Sequence, residues 1–305
     1  MGRAVVINRY GGPDVLELIE RPDPAPAPGE LLVRVEAAGV QPFDVMYRAG
    51  DMRQWAPAHF PQTLGNEFAG TVMTLGRDVA AFGVGDEVLG WTSGDGYSET
   101  IAVPAAHCVK KPPVMPWPEA GTLSASGQTA STGIEALNVR AGETVIIHAA
   151  AGGVGSMAVQ IAIAAGAHVI GTASPANHPY LRALGAVPVD YHGNLPAALK
   201  RAAPDGADAA LIAVAGEAAV TASLALVKDP YRIATIVYEP AADRHGVRRI
   251  GTQRSQERLA GLVALYEAGK LAVHVAAAIP LSHAAEAHRL VETGHVRGKV
   301  ALIRE

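Results

Sequence analysis

The sequence predicts an α/β protein in two parts, a small twisted β-barrel and a doubly wound parallel sheet with helices on both faces. Three observations predict it: the chain length, an early stretch of short β-rich runs broken by Gly and Pro, and a switch after Pro118 to apolar β runs alternating with Ala-rich helical stretches. At 305 residues the chain is long enough for two domains of about 100–200 residues each. A composition of 49% hydrophobic and 18% charged residues is globular, not the low-hydropathy, high-charge balance of disorder.

In the first part the runs Ala4–Asn8, Leu31–Ala38, Gly70–Leu75, Asp86–Gly90 and Tyr97–Val103 read as strands. The stretch from Arg21 to Gly29 alternates Pro with other residues, so it lacks ladder donors and reads as an extended connector. In the second part Thr144–His148, His168–Thr172, Val187–Val189, Asp208–Val214 and Ile233–Val237 read as strands, with helices over Ser156–Ala165 and Tyr180–Leu184. The tail from Val273 to Ile303 reads as strand, helix (His283–Glu292) and strand, and is expected to rejoin the first part. These divisions give expected domains of 1–118 with 270–305, and 119–269.

A formal charge of −4 with scattered Lys and Arg offers no basic stripe for nucleic acid or an anionic membrane, so neither is an expected partner. No run of about 18 apolar residues is present, and Met1–Val6 reads as a strand rather than a signal peptide, so a cytoplasmic location is expected. Gly2 lacks the Ser or Thr at position 6 that myristoylation needs. Cys108 is the sole cysteine, which removes internal disulfides and sites built on several thiolates.

The sharpest local signal is the run Thr144-Val145-Ile146-Ile147-His148-Ala149-Ala150-Ala151-Gly152-Gly153-Val154-Gly155, followed by the helical Ser156–Ala162. A strand that feeds a helix through a Gly-rich turn aims unpaired backbone N–H groups at one point, where the helix dipole also favours a pyrophosphate. Against G-x-G-x-x-G, Ala150 stands for the first Gly, while Gly152 and Gly155 match the second and third; Gly153 and Val154 complete the turn. No acid follows the second strand until Asp190, so nothing there repels a 2′-phosphate, and Ser174, Asn177, His178 and Arg182 offer donors. NADPH is therefore expected in preference to NADH.

Further residues point to a family. Ala38-Gly39-Val40-Gln41-Pro42-Phe43-Asp44 with Arg48 and Gly50, Gly65-Asn66-Glu67-Phe68-Ala69-Gly70, Gly85-Asp86-Glu87-Val88, Ala149–Gly155, Leu184-Gly185-Ala186 and Arg297-Gly298-Lys299-Val300 together resemble the medium-chain dehydrogenase/reductase superfamily, within it the zinc-independent quinone oxidoreductase group. The resemblance implies a GroES-like β-barrel domain formed by both chain ends, a central Rossmann-type domain, a cleft between them and a homodimer. Zinc members carry Cys near the position of Gln41 and His at that of Asn66. Amides at both places, one cysteine and no H-E-x-x-H predict no metal. His283 and His288, five apart, diverge on a helix and read as solvated or packing residues.

The resemblance also assigns single residues, each with an ordinary structural alternative. It places Thr129 against the nicotinamide (or as a helix Thr bonded to its own backbone), Tyr191 beside the adenine (or as a loop Tyr), and Lys299 near the cofactor (or as a solvated strand-edge charge). Val214, at the end of its run, and Tyr238, just after the run to Val237, complete the expected cofactor contacts; Tyr238 is otherwise a cleft-lining candidate proton donor or a rim aromatic. Gln41 departs from the family's usual Asn and is expected, with Thr129, to support the reacting oxygen of a small-molecule substrate. Tyr47 is a candidate proton donor or a rim aromatic. Without a Lewis acid to hold a growing alkoxide, conjugate reduction of a quinone or α,β-unsaturated carbonyl is expected over ketone chemistry. The alternatives are an enoyl-thioester or specialised-metabolite enoyl reductase, a non-catalytic NADPH-binding sensor, and a zinc alcohol dehydrogenase with unusual ligands.

Overall fold

The computed structural model describes residues 1–305, which divide into two compact units. The first unit comprises Met1–Ala125, Ser255–Val263 and Val273–Glu305; the second comprises Ser126–Arg254 and Ala264–Ala272. The division falls at 125/126, inside a helix, not at the expected 118/119, and it returns 255–263 to the first unit. In that segment the Gln256 side-chain N–H donates to the Cys108 carbonyl of the first unit at 2.7 Å.

The first unit holds β1 (Gly2–Ile7), β2 (Leu16–Arg21), β3 (Glu30–Val40), α1 (Pro42–Ala49), β4 (Gln62–Thr63), β5 (Glu67–Leu75), β6 (Glu87–Trp91), β7 (Thr100–Pro104), β8 (Cys108–Lys110) and the start of α2 (Trp117–Ala136). In β3, Leu31, Val33 and Val35 are buried while Leu32, Arg34 and Glu36 are partly exposed, the period-2 pattern of a sheet with one face on a core; from Ala37 to Val40 every residue is buried. Their partners in that core include Phe68, Val88, Ile101 and Leu302.

The second unit holds β9 (Thr144–His148), α3 (Gly153–Ala164), β10 (His168–Ala173), α4 (His178–Ala183), β11 (Val187–Asp190), α5 (Leu195–Ala202), β12 (Ala209–Ile212), α6 (Glu217–Leu226), β13 (Ile233–Thr235), α7 (Pro240–Arg244) and β14 (Arg248–Arg249). These six strands pair in the order β11-β10-β9-β12-β13-β14, every pairing parallel. Counted from β9 this is 3-2-1-4-5-6, the order of a Rossmann sheet. Helices cover both faces, so β9 is apolar without alternation: Val145, Ile146 and Ile147 are all fully buried. Each such side chain contributes about 1.5–3 kcal/mol relative to exposure.

The chain then runs through α8 (Gln256–Glu267), β15 (Val275–Pro280), α9 (Ala284–Glu292) and β16 (Lys299–Ile303). The last strand lies antiparallel to β3 and parallel to β15, so the tail completes the first unit's large sheet. That sheet has seven strands in the order β15-β16-β3-β5-β6-β8, with β7 also on β3, and β2-β1-β4 form a separate three-stranded sheet. The strand expected from Tyr97 begins only at Thr100, where pairing with β3 starts; Tyr97 itself is fully buried and its backbone bonds instead to Leu64 and Val5. The run ending at Val214 closes at Ile212 and that ending at Val237 at Thr235; both ends pass into loops.

Candidate functional site

In the second unit the expected cofactor residues other than Thr129 follow the ends of the parallel strands. All six strands run parallel, so the ends of β9, β10, β11, β12 and β13 share one edge, and Ala150–Gly155, Ser174 with Asn177, Tyr191, Val214 and Tyr238 follow them in turn. The strand order reverses between β9 and β12, the position where open parallel sheets form a ligand crevice.

The turn after β9 explains its own sequence. Ala149 takes a left-handed φ of 53°, and its carbonyl accepts the Gly152 N–H at 3.0 Å. A Cβ on Gly155 would lie 2.1 Å from that carbonyl oxygen, so only glycine fits the opening of α3. A Cβ on Gly152 would meet nothing nearer than the same oxygen, at 3.4 Å, and otherwise point into open space. Gly153, Val154 and Gly155 supply first-turn N–H groups, which have no carbonyl one turn behind them. Ala150, in place of a glycine, is fully buried and packs at Gly171, where a Cβ would stand 2.8 Å from its own. Beneath the turn His148 is buried between the Ser223 hydroxyl (3.0 Å) and the Thr172 hydroxyl (3.3 Å), and burial lowers its pKa to about 4.

At the end of β10, Ser174 and Asn177 are partly exposed and joined, the Asn177 side-chain N–H donating to the Ser174 hydroxyl at 3.2 Å. Asp190 is opposite Ala173 in register, and its Oδ1 accepts from the backbone N–H (3.0 Å) and ring (2.6 Å) of His192. Tyr191 is 42% exposed beside His192. Tyr238 is 57% exposed, with the Arg249 guanidinium 5.7 Å from its ring centre. Val214 is exposed, and Arg182 is exposed on α4. The Thr129 hydroxyl lies 2.7 Å from that of Thr252, and the Thr132 hydroxyl donates to the Gln128 carbonyl, also at 2.7 Å.

The first unit carries a buried polar cluster at the start of α1. Gln41 is the N-cap, Pro42 opens the helix, and Gly50 closes it at φ 90°. The Asp44 carboxylate accepts the Gln41 backbone N–H at 2.8 Å, and the Gln41 side-chain N–H donates to Glu67 Oε1. Glu67 is fully buried and also accepts from Lys299 Nζ (3.0 Å) and from the Ala125 N–H (2.6 Å). Lys299 is therefore neither solvated nor at a strand edge: it is 3% exposed, and Val300 beside it pairs with Val40, which brings the lysine opposite Gln41. Gly39 makes this possible, since a Cβ there would stand 2.0 Å from Glu67 Oε1.

Tyr47 does not join this cluster. Its hydroxyl donates to the Pro57 carbonyl at 3.3 Å, its ring lies near Phe43, and burial together with Tyr10 holds its pKa above the usual value. Asp44 is raised to about 7, burial outweighing the Gln41 N–H that favours its charge; Glu67 also raises it, while Lys299 and Tyr97 lower it. Sequence reasoning missed Tyr97 and gave no role beyond solvation or packing to His288. The latter is fully buried, with Nδ1 3.2 Å from Arg48 Nη1 and Nε2 3.1 Å from the Tyr97 hydroxyl, whereas His283 lies exposed next to Ser282. No three His, Cys, Asp or Glu side chains gather as a metal site.

A family model described as an alcohol dehydrogenase GroES-like domain matches residues 27–113, and one described as a zinc-binding dehydrogenase matches 184–302. The synaptic vesicle membrane protein VAT-1 homolog of Mus musculus is 35% identical over 212 residues, 68% of this chain, which spans about half (52%) of that relative. The chloroplast envelope quinone oxidoreductase homolog of Arabidopsis thaliana is 30% identical over 322 residues, covering 97% of each chain. Among solved structures, the quinone oxidoreductase of Coxiella burnetii aligns at TM-score 0.87 and 30% identity over 100% of this chain and 99% of that one. An NAD-dependent alcohol dehydrogenase aligns at 0.90 and 31% over 99% and 100%, and a mycobacterial protein complexed with NADPH at 0.86 and 28% over 99% of each. The chain is an oxidoreductase-fold protein that belongs to the medium-chain dehydrogenase/reductase superfamily, in its zinc-independent quinone oxidoreductase group.

Proposed function

We propose that the protein is an NADPH-dependent reductase of quinones or α,β-unsaturated carbonyl compounds. The observation that carries this reading is the turn from Ala149 to Gly155, whose open face at Gly152 and first-turn amides fit a pyrophosphate at the sheet's switch point. Ser174 and Asn177 at the end of β10 suit a 2′-phosphate, and Asp190, already engaged by His192, is the acid nearest in register. NADPH, when bound, supplies the hydride.

The chain's own groups hold and orient. Gly153, Val154 and Gly155 N–H groups bind the diphosphate; Ala150, Tyr191, Val214 and Tyr238 flank the nucleotide, and Thr129 is assigned to the nicotinamide. Conjugate addition places negative charge on an enolate or quinol oxygen, which an amide donor such as Gln41 stabilises without a metal. That oxygen or its carbon then takes a proton from water. Tyr47, whose proton is committed to Pro57 and whose pKa is raised, is a poor donor as it stands. Lys299 acts through Glu67 on Gln41 rather than on the cofactor.

The test is NADPH oxidation with phenanthrenequinone and with a panel of enones, run beside NADH. Turnover with a kcat/KM preference for NADPH is expected; saturable binding of NADPH without turnover of any acceptor refutes the proposal.

A further inference from the structure

We infer that Arg48, His288 and Tyr97 form a one-way hydrogen-bond line ending on Asp44, and that Tyr97 and His288 are thereby positioning residues for Gln41 in the reaction proposed above. The inference rests on that reading for its catalytic half.

The direction follows from what each group can donate. A guanidinium has donors only, so the His288 Nδ1 that faces Arg48 Nη1 at 3.2 Å must accept. A neutral imidazole that accepts at Nδ1 carries its proton on Nε2. That nitrogen, 3.1 Å from the Tyr97 hydroxyl, then donates to the phenol oxygen. The phenol's single proton is left for Asp44 Oδ2, at 3.3 Å. The same oxygen accepts the Gln41 backbone N–H, so the line ends on the carboxylate that fixes where α1 begins and where Gln41 stands.

Every link is buried: Arg48 is 2% exposed, Tyr97, His288 and Glu67 are fully buried, and Asp44 is 2% exposed. The charged groups that act on Asp44 are Glu67 on β5 and Lys299 on β16, while Arg48, one turn along the same helix, faces His288. Arg48 in turn pairs with Glu292 of α9 and donates to the Gly11 carbonyl. Burial and the Arg48 charge lower His288 to about 3, which keeps it neutral and able to accept. The line begins at a side chain that neither accepts nor gives up a proton, so reversing it requires changing His288 itself.

Two substitutions of similar size separate direction from mere packing. In His288→Gln the carbonyl accepts from Arg48 and the amide N–H donates to Tyr97, which keeps the order. In His288→Glu both ends accept, so the Tyr97 proton is drawn away from Asp44 while the Arg48 contact survives. We expect His288→Gln to rescue kcat to within about threefold of the parent. For His288→Glu we expect kcat at least about tenfold lower, at unchanged KM for NADPH and a Tm within a few degrees of the Gln variant.

Nitrogen NMR of the unmodified protein should show His288 protonated at Nε2 and bare at Nδ1. Equal kcat in the two variants, or a proton on Nδ1, overturns the inference. If the Glu variant does not fold, the tautomer decides alone. Failure of the unmodified protein to reduce any acceptor would sink the functional reading instead, and the two failures are distinguishable because the tautomer is read without turnover.

Discussion

Two glycines three residues apart in one turn should respond to substitution in opposite ways. At Gly152 an added Cβ meets only the Ala149 oxygen, at 3.4 Å; at Gly155 it meets Ala149 O at 2.1 Å, with Ala149 C and Ala150 Cα both at 2.8 Å, all of them backbone. Gly152→Val therefore spares the fold, at a cost of about 1 kcal/mol for an unfavourable N-cap residue. Its isopropyl group stands where a diphosphate must approach, which removes about two charge-assisted hydrogen bonds, roughly 3 kcal/mol or about 100-fold in NADPH affinity. Gly155→Ala forces the turn to open and destabilises by about 3 kcal/mol or more, as overpacking does, or at least about 6 °C in Tm. Circular dichroism melts and fluorescence titration with NADPH measure both. Undiminished NADPH affinity in folded Gly152→Val would refute the placement of the diphosphate; an unshifted Tm in Gly155→Ala would refute the account of the turn.

Three further outcomes are expected. Burial lowers His148 and His288 to about 4 and about 3, while unfolded imidazoles protonate near 6.5, so between these values the unfolded chain binds more protons and stability falls as acid is added. Asp44, raised to about 7, has the opposite sign: its folded form keeps a proton the unfolded chain has lost, so its contribution declines as pH rises towards about 7. Across about pH 6.5–4 each imidazole contributes a loss of up to about 1.4 kcal/mol per pH unit, so urea titrations of His148→Gln should show a slope shallower by that amount; an identical slope contradicts the assignment. Lys299→Met strands the buried Glu67 charge and should cost about 3–5 kcal/mol, with Glu67→Gln in the same chain recovering most of it; additive losses would count against the pair. Ser174→Asp places a carboxylate where the 2′-phosphate is proposed to sit, and should shift the kcat/KM ratio at least about tenfold towards NADH; an unchanged ratio moves that phosphate elsewhere.

What could be read from the sequence was what is local. The strand Thr144–His148 has the bounds its apolar run indicates, and the turn and helix after it follow at once, because strand, Gly turn and helix are adjacent in the chain. Helix α1 was equally local, with Pro42 at its first position, Asp44 at the third and Gly50 beyond its end, yet it sits in a stretch dominated by β runs and is absent from the expected elements. The polar cluster had no such signal. Arg48 and His288 are 240 residues apart and Tyr97 and His288 are 191, so only the folded chain shows that a histidine on a helix face closes a line to Asp44. Lys299 likewise reads as an edge charge until β16 is paired with β3.

The 232 residues separating Glu67 from Lys299 set an order of events during synthesis. At about 5–20 residues per second, the carboxylate leaves the ribosome on the order of 10–50 s before the ammonium that will neutralise it. The six parallel strands are all translated within that interval, whereas Glu67 has no Lys299 partner until β16 arrives. A nascent chain halted near α9 would carry all six parallel strands but lack the strand that pairs with β3 and the ammonium that neutralises Glu67, the form in which protein quality control would meet it.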